Sequence, residues 1–93
     1  MVFEIFSLYL QSVPMEFVKK CTERGTEKVM LQVENRRWAV KLIKRSGQNR
    51  GWFSAGWPLF ANENSLQLGD ICCIELINAE LLLLKVSIFR NVK

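Results

Sequence analysis

The chain has 93 residues, 49% of them hydrophobic and 24% charged, with a formal net charge of +4. That length allows one domain with one core, and the composition is globular rather than disordered. Histidine is absent, which excludes Ser-His-Asp and Cys-His nucleophilic machinery and any Cys/His zinc site.

Other absences narrow the reading. No apolar run approaches the ~18 residues that would span a membrane. The apolar start, MVFEIFSLYL, has no basic region ahead of it and is interrupted by Glu4, so a secretory signal is not expected. Cys21, Cys72 and Cys73 do not make a disulfide framework, because neighbours on a strand face opposite ways. They read as reduced, mostly buried thiols of an intracellular protein. The nine carboxylates are scattered singly, so no acidic cluster suggests a Mg²⁺ site; an enzyme is possible but has few parts to work with, and the expectation is of no metal, cofactor, small-molecule substrate or enzyme activity.

In chain order, Phe3–Phe6 reads as a short first strand, with Ser7-Leu8-Tyr9 as the loop after it; alternatively the first strand is incomplete. Pro14 suits the first position of a helix, on which Phe17, Val18 and Cys21 share a face and which Gly25 ends. Val29, Leu31 and Val33 then alternate with polar neighbours, and so do Trp38, Val40 and Leu42. The two runs form a hairpin around Glu34-Asn35-Arg36, with Asn35 as the left-handed residue. After the basic loop 44-KRSGQNRGW-52 comes a strand over Phe53–Trp57. A second helix starts near Pro58 and is broken at Asn64-Ser65. Ile71–Ile77 and the run from Leu82 to Phe89 form a second hairpin, turning at Asn78-Ala79-Glu80. Leu81–Leu84 is apolar on both faces and is expected to be covered on both. The mild positive charge is unevenly placed: residues 35–62 hold Arg36, Arg37, Lys41, Lys44, Arg45 and Arg50 and no Asp or Glu, while residues 1–18 hold no Lys or Arg.

The stretch 56-GWPLFANENSLQLGDICCIEL-76 brings together Gly-Trp, a Phe three residues after the Trp, Asn-x-Leu, Gly-Asp and a strand ending in Glu-Leu. With SVPMEFVKK upstream, the Trp38-x-Val40 strand and the closing KVSIFR, it resembles the plant B3 DNA-binding domain, closest to the reproductive-meristem branch. The resemblance covers nearly the whole chain. It implies an all-β fold, a seven-stranded open barrel with two short helices, as a single domain over residues 1–93. It also implies nuclear, metal-free binding of double-stranded DNA in transcriptional regulation. Other transcription factors or a second B3 domain are further candidate partners. On this reading Gly56, Trp57, Phe60, Leu66, Gly69 and Asp70 are architecture: Phe60 and Leu66 plug one barrel end, and Asp70 ties the turn at Gly69.

By the same resemblance the loop after Trp38–Ile43 is one of two arms that enter the major groove. The candidate contacts are Lys44, Arg45, Ser46, Gln48, Asn49 and Arg50. Their chemistry suits the task independently. Arg can place two donors on a guanine edge and Gln or Asn can pair with adenine, while Lys44 and Ser46 suit phosphate oxygens. Gly47 and Gly51 let the loop bend close to DNA. Arg36 and Arg37, at the far turn of the hairpin, read as solvated. The other arm, between the first two strands, is shortened and uncharged, so poor sequence discrimination is expected. The alternative is a degenerate B3 domain that pairs with proteins through an apolar edge or the Leu81–Leu84 strand and no longer binds DNA.

Overall fold

The computed structural model describes residues 2–5, 12–21, 26–44 and 50–91. Seven strands and two short helices follow the order β1 (Val2–Ile5), β2 (Ser12–Pro14), α1 (Met15–Cys21), β3 (Thr26–Val33), β4 (Arg36–Lys44), β5 (Arg50–Phe53), α2 (Trp57–Glu63), β6 (Ile71–Asn78) and β7 (Leu83–Phe89). All strands join one sheet in the order β1-β6-β7-β3-β4-β5-β2. Pairing is antiparallel except between β3 and β7, which run parallel over Met30–Gln32 and Leu83–Lys85. The edge strands β1 and β2 come within 8 Å of each other (Cα–Cα), so the sheet curls into an open barrel. The expected all-β barrel with two short helices is the observed fold. The first strand is formed and lies against β6, with Val2 opposite Glu75. Residues 7–9, read as a shortened arm, lie outside the described residues.

Period-two patterning explains the core. Trp38, Val40 and Leu42 of β4 are buried, and so are Val29 and Leu31 of β3, while Lys28, Arg37, Ala39 and Lys41 are exposed. The two faces of the hairpin therefore separate as the alternation requires. Phe17 and Val18 of α1 and Phe60 of α2 are fully buried against this inner face, and Leu66 packs half-buried on the same core. Cys72 is buried and Cys73, its neighbour on β6, is half-exposed. Burial pushes the Cys72 thiol up to about 11, with the charge of Asp70 adding to the shift, so it stays neutral as a packing group.

The Gly-Trp and Gly-Asp motifs perform the architectural work expected of them. Gly56 sits at φ 96° ahead of α2, and a Cβ there would collide with the Ala39 carbonyl oxygen. Glycine is required on both counts. Pro58 follows as the second residue of the helix, where its missing N–H costs nothing. Asp70 is buried. Its Oδ2 accepts from the Gln67 amide at 2.9 Å and from Arg90 Nη1 at 3.2 Å, and its Oδ1 accepts from the Asn91 amide at 2.8 Å. Arg90 also donates to the carbonyls of Asn64 and Ser65. One carboxylate thus fastens the end of β7 to the turn around Gly69. The amides of Asn91 and Gln67, then Arg90, hold that carboxyl below its ordinary 3.8.

Several local expectations are corrected. Pro14 ends β2, paired with Arg50, and the helix begins at Met15. The residue before a proline prefers extended backbone, and an edge strand tolerates the missing donor. In the β3–β4 turn the left-handed residue is Glu34, at φ 54°, rather than Asn35. The strand after the basic loop is Arg50–Phe53 rather than Phe53–Trp57, because Ser54 to Gly56 turn the chain into α2. Leu82 is a turn residue at φ 50°, not a strand residue. Leu83 and Leu84 are buried but Leu81 is 65% exposed, so only half of the leucine run is covered on both faces. Gly25 lies outside the described residues.

Candidate nucleic-acid interface

The β4 strand has two differently finished ends. At its start, Glu63 at the end of α2 accepts from Trp38 Nε1 at 2.7 Å and from Arg36 Nη2 at 3.3 Å, both on Oε1. The Arg36 guanidinium lies 4.8 Å from the centroid of the Trp38 ring. Behind it an aromatic series runs into the core: Trp38 meets Phe60 edge-on at 5.2 Å, Phe60 meets Trp57 at 5.2 Å, and Trp57 stacks on Phe53 at 5.6 Å. Arg37 Nε donates to Gln32 Oε1 at 2.9 Å. Both arginines are exposed, as expected of a charged turn, yet each is committed to a neighbour within the fold.

At its far end, β4 carries the candidate loop. Lys44 is opposite Gly51, Ile43 opposite Trp52 and Leu42 opposite Phe53. Arg50 is opposite Pro14 of β2. The loop therefore leaves and re-enters a paired hairpin whose ends are fixed by the barrel. Lys44 is half-buried and Arg50 is exposed. Arg45, Ser46, Gln48 and Asn49 lie outside the described residues, with Gly47 between them. Gly51 does not serve loop bending. It is buried, and a Cβ there would sit 2.7 Å from both the Ile43 carbonyl oxygen and Val18 Cγ2. Its bareness lets α1 lie against the strand directly behind the loop.

The register also assembles a surface that residue-by-residue reading missed. Lys28 stands directly opposite Lys41, and both are exposed. The signal was present: counting back from the two-residue turn at Glu34-Asn35 pairs position 28 with position 41. Among the described residues no three His, Cys, Asp or Glu side chains gather into a group able to hold a metal ion, and no helix is long and apolar enough to cross a membrane.

The family model for the B3 DNA-binding domain matches residues 4–92. The chain belongs to the B3 family. The family is one of non-enzymatic DNA-binding domains. Curated relatives agree. The chain is 33% identical over 78 residues to the B3 domain-containing transcription factor VRN1 of Arabidopsis thaliana, covering 84% of this chain and 22% of that protein. It is 32% identical over 82 residues to the B3 domain-containing protein REM16 of the same plant, covering 86% of this chain and 24% of that one. The B3 chain described here thus spans about a fifth to a quarter of these relatives. The solved structure of the hypothetical Arabidopsis thaliana protein At1g16640.1 shares the fold, with a TM-score of 0.70 and 22% identity over 96% of this chain and 89% of that one.

Proposed function

We propose that residues 1–93 are a single duplex-DNA-binding module of a plant transcriptional regulator, acting in the nucleus without enzymatic activity. In this reading the loop 44–50 enters the major groove. Arg45 and Arg50 face guanine edges or phosphates, Gln48 and Asn49 face adenine edges, and Lys44 and Ser46 hold phosphate oxygens. The observation that carries the reading is the B3 match over residues 4–92, in a chain whose basic, acid-free segment includes the loop between the paired strands β4 and β5. A partner protein or a second B3 domain elsewhere in a longer polypeptide would add the discrimination that segment 1–18, which holds no Lys or Arg, does not supply. A protein-docking role for the Leu81–Leu84 run has less support, since Leu83 and Leu84 are buried.

Fluorescence anisotropy with a labelled duplex at several salt concentrations tests the proposal. The three loop cations Lys44, Arg45 and Arg50 alone give a log–log salt slope near −2.7, at about 0.9 per neutralised phosphate. An Arg45→Ala/Arg50→Ala double variant should weaken binding by about thirtyfold at 0.15 M salt if both residues sit on phosphates. Unchanged affinity in a variant that melts like the wild type would move the site off the loop.

A further inference from the structure

We propose that the outward face of β6 and β7 is a contact surface for a second copy of this chain, packed about a twofold axis that runs along the two strands and between them. This contact is independent of DNA binding, and its test contains no DNA. Alternation defines the face. On β6, Cys72 and Ile74 are buried, which turns Ile71, Cys73 and Glu75 outward. On β7, Val86 is buried, which turns Lys85, Ser87 and Phe89 outward. The register sets them directly opposite one another: Ile71 with Phe89, Cys73 with Ser87 and Glu75 with Lys85.

Two features mark this face as one with a partner. Phe89 is 59% exposed beside half-buried Ile71. Leu68 is exposed as well, and its carbonyl oxygen lies 3.5 Å from the Asn91 side-chain amide, next to the end of β7. At the other end of the hairpin Ile77 and Leu81 are exposed. Apolar side chains gathered in the open at both ends of one stripe are the mark of an interaction surface. The middle of the stripe is charged. Glu75 and Lys85 are both exposed and directly opposite each other. Yet neither belongs to the two ion pairs found among the described residues, Arg36–Glu63 and Arg90–Asp70.

The charges select both the occupant and the axis. Rotation by a half-turn about a line between the strands lays β6 of one copy over β7 of the other, at the same height. Each outward residue then meets the residue type that is its own cross-strand neighbour. Glu75 faces Lys85 twice over, and the Ile71 and Phe89 side chains close into a four-residue apolar cluster. A twofold axis across the strands at this level would instead bring Glu75 onto Glu75 and Lys85 onto Lys85. The face is therefore complementary to itself, as an isologous contact requires. Aligned sheets pack about 10 Å apart. The stripe from Ile71 to Ile77 is about 20 Å long at 3.4 Å per residue. Because the sheet curls away on either side, the contact stays on two strands and buries less than about 1,000 Å², the size of weak, transient association. The apolar ends supply affinity, and the charges fix the register.

The test is sedimentation equilibrium at low ionic strength, where exposed charges are least screened. The samples are wild type, Lys85→Glu, Glu75→Lys, an equimolar mixture of those two variants, and Phe89→Ser. The wild type should show a concentration-dependent equilibrium between monomer and dimer. Each charge variant sets like charges face to face and should weaken the homodimer by about tenfold or more. The mixture puts opposite charges back across the axis at both places and should recover the wild-type affinity. Phe89→Ser removes the apolar anchor and should weaken the dimer by about tenfold. A cooperative melt of each variant shows that the barrel is intact. A wild type that stays monomeric up to about 1 mM overturns the proposal and leaves the loop reading as it stands. Charge variants that dimerise as the wild type does would move the contact to another face. A mixture that fails to recover would show that Glu75 and Lys85 do not meet across the axis. Either result overturns the proposal. Should a charge variant fail to fold, Phe89→Ser decides: wild-type affinity in that variant overturns it.

Discussion

The two ends of β4 carry cations in different settings. At Arg36 the guanidinium is answered by the Glu63 carboxylate and by the Trp38 ring, and that carboxylate also receives the indole N–H. The charge is committed to closing the barrel over α2. At the other end, Lys44 and Arg50 bracket a loop in a stretch of sequence that supplies no carboxylate. Arginine by itself therefore does not mark a nucleic-acid surface. At the start of β4 the fold itself brings an acid to meet the cation. Here it does so from Glu63, more than twenty residues away along the chain.

That contrast can be broken at its structural end first. Trp57 is 3% exposed, stacked on Phe53 and tilted against Phe60. Trp57→Ala should cost about 3–5 kcal/mol of stability, as expected for a buried aromatic cut to a methyl. Chemical denaturation measures it, and any loss of DNA affinity should track the unfolded fraction. A variant that kept its melting temperature but lost DNA would place Trp57 on the binding surface and overturn its structural role.

Removing Glu63 has a smaller effect. The side chain is partly exposed, so the ion pair itself contributes little. The hydrogen bond from the Trp38 indole carries most of the loss, and Glu63→Ala should destabilise by about 1 kcal/mol. Arg36→Ala should cost less still and leave the salt slope for DNA unchanged. A clear fall in that slope would show that both ends of β4 face the duplex.

The third test uses acid. The folded-state pKa of Asp70 lies below its ordinary 3.8. Its ionised form therefore stabilises the fold fully above that ordinary value, and the contribution is lost as pH falls through the folded value. Thermal melts of wild type and Asp70→Asn should differ most near neutrality and converge below pH 3.8. A constant gap across that range would mean that hydrogen-bond geometry, not charge, gives Asp70 its role.

Much of this architecture was legible before any coordinates. Residues whose roles depend on near neighbours were read correctly. Alternation placed Val29, Leu31, Trp38, Val40 and Leu42 inward, and the Gly69-Asp70 pair announced a side-chain-fastened turn. The misses have a common physical origin in contacts distant along the chain. Nothing local marks Glu34 rather than Asn35, or Leu82, for a left-handed backbone. Leu82 is held by its carbonyl accepting from the Met30 amide, a bond that exists only once β7 lies beside β3. The use of Glu63 depends in the same way on Trp38 and Arg36. For the site, the sequence displayed the residue types in loop 44–50, while the pairing of Lys28 with Lys41 came from register. Ser46, Gln48 and Asn49 still rest on their chemistry and on the family pattern alone.

The strand order has a consequence for the making of this protein. Val2 is opposite Glu75 and Ile5 opposite Cys72, so β1 waits until residues 72–75 have been made before it finds its partner. The β3–β4 hairpin closes through a two-residue turn and pairs residues close in sequence, whereas β1 has no β6 to pair with until some seventy further residues have been made. Non-local pairings of this kind are slow to form and expose strand edges while they wait. A chain stalled or truncated before residue 71 would carry Val-Phe-Glu-Ile with nothing to pair against. Such a fragment should recruit chaperones and aggregate, even though its basic loop and hairpin are complete.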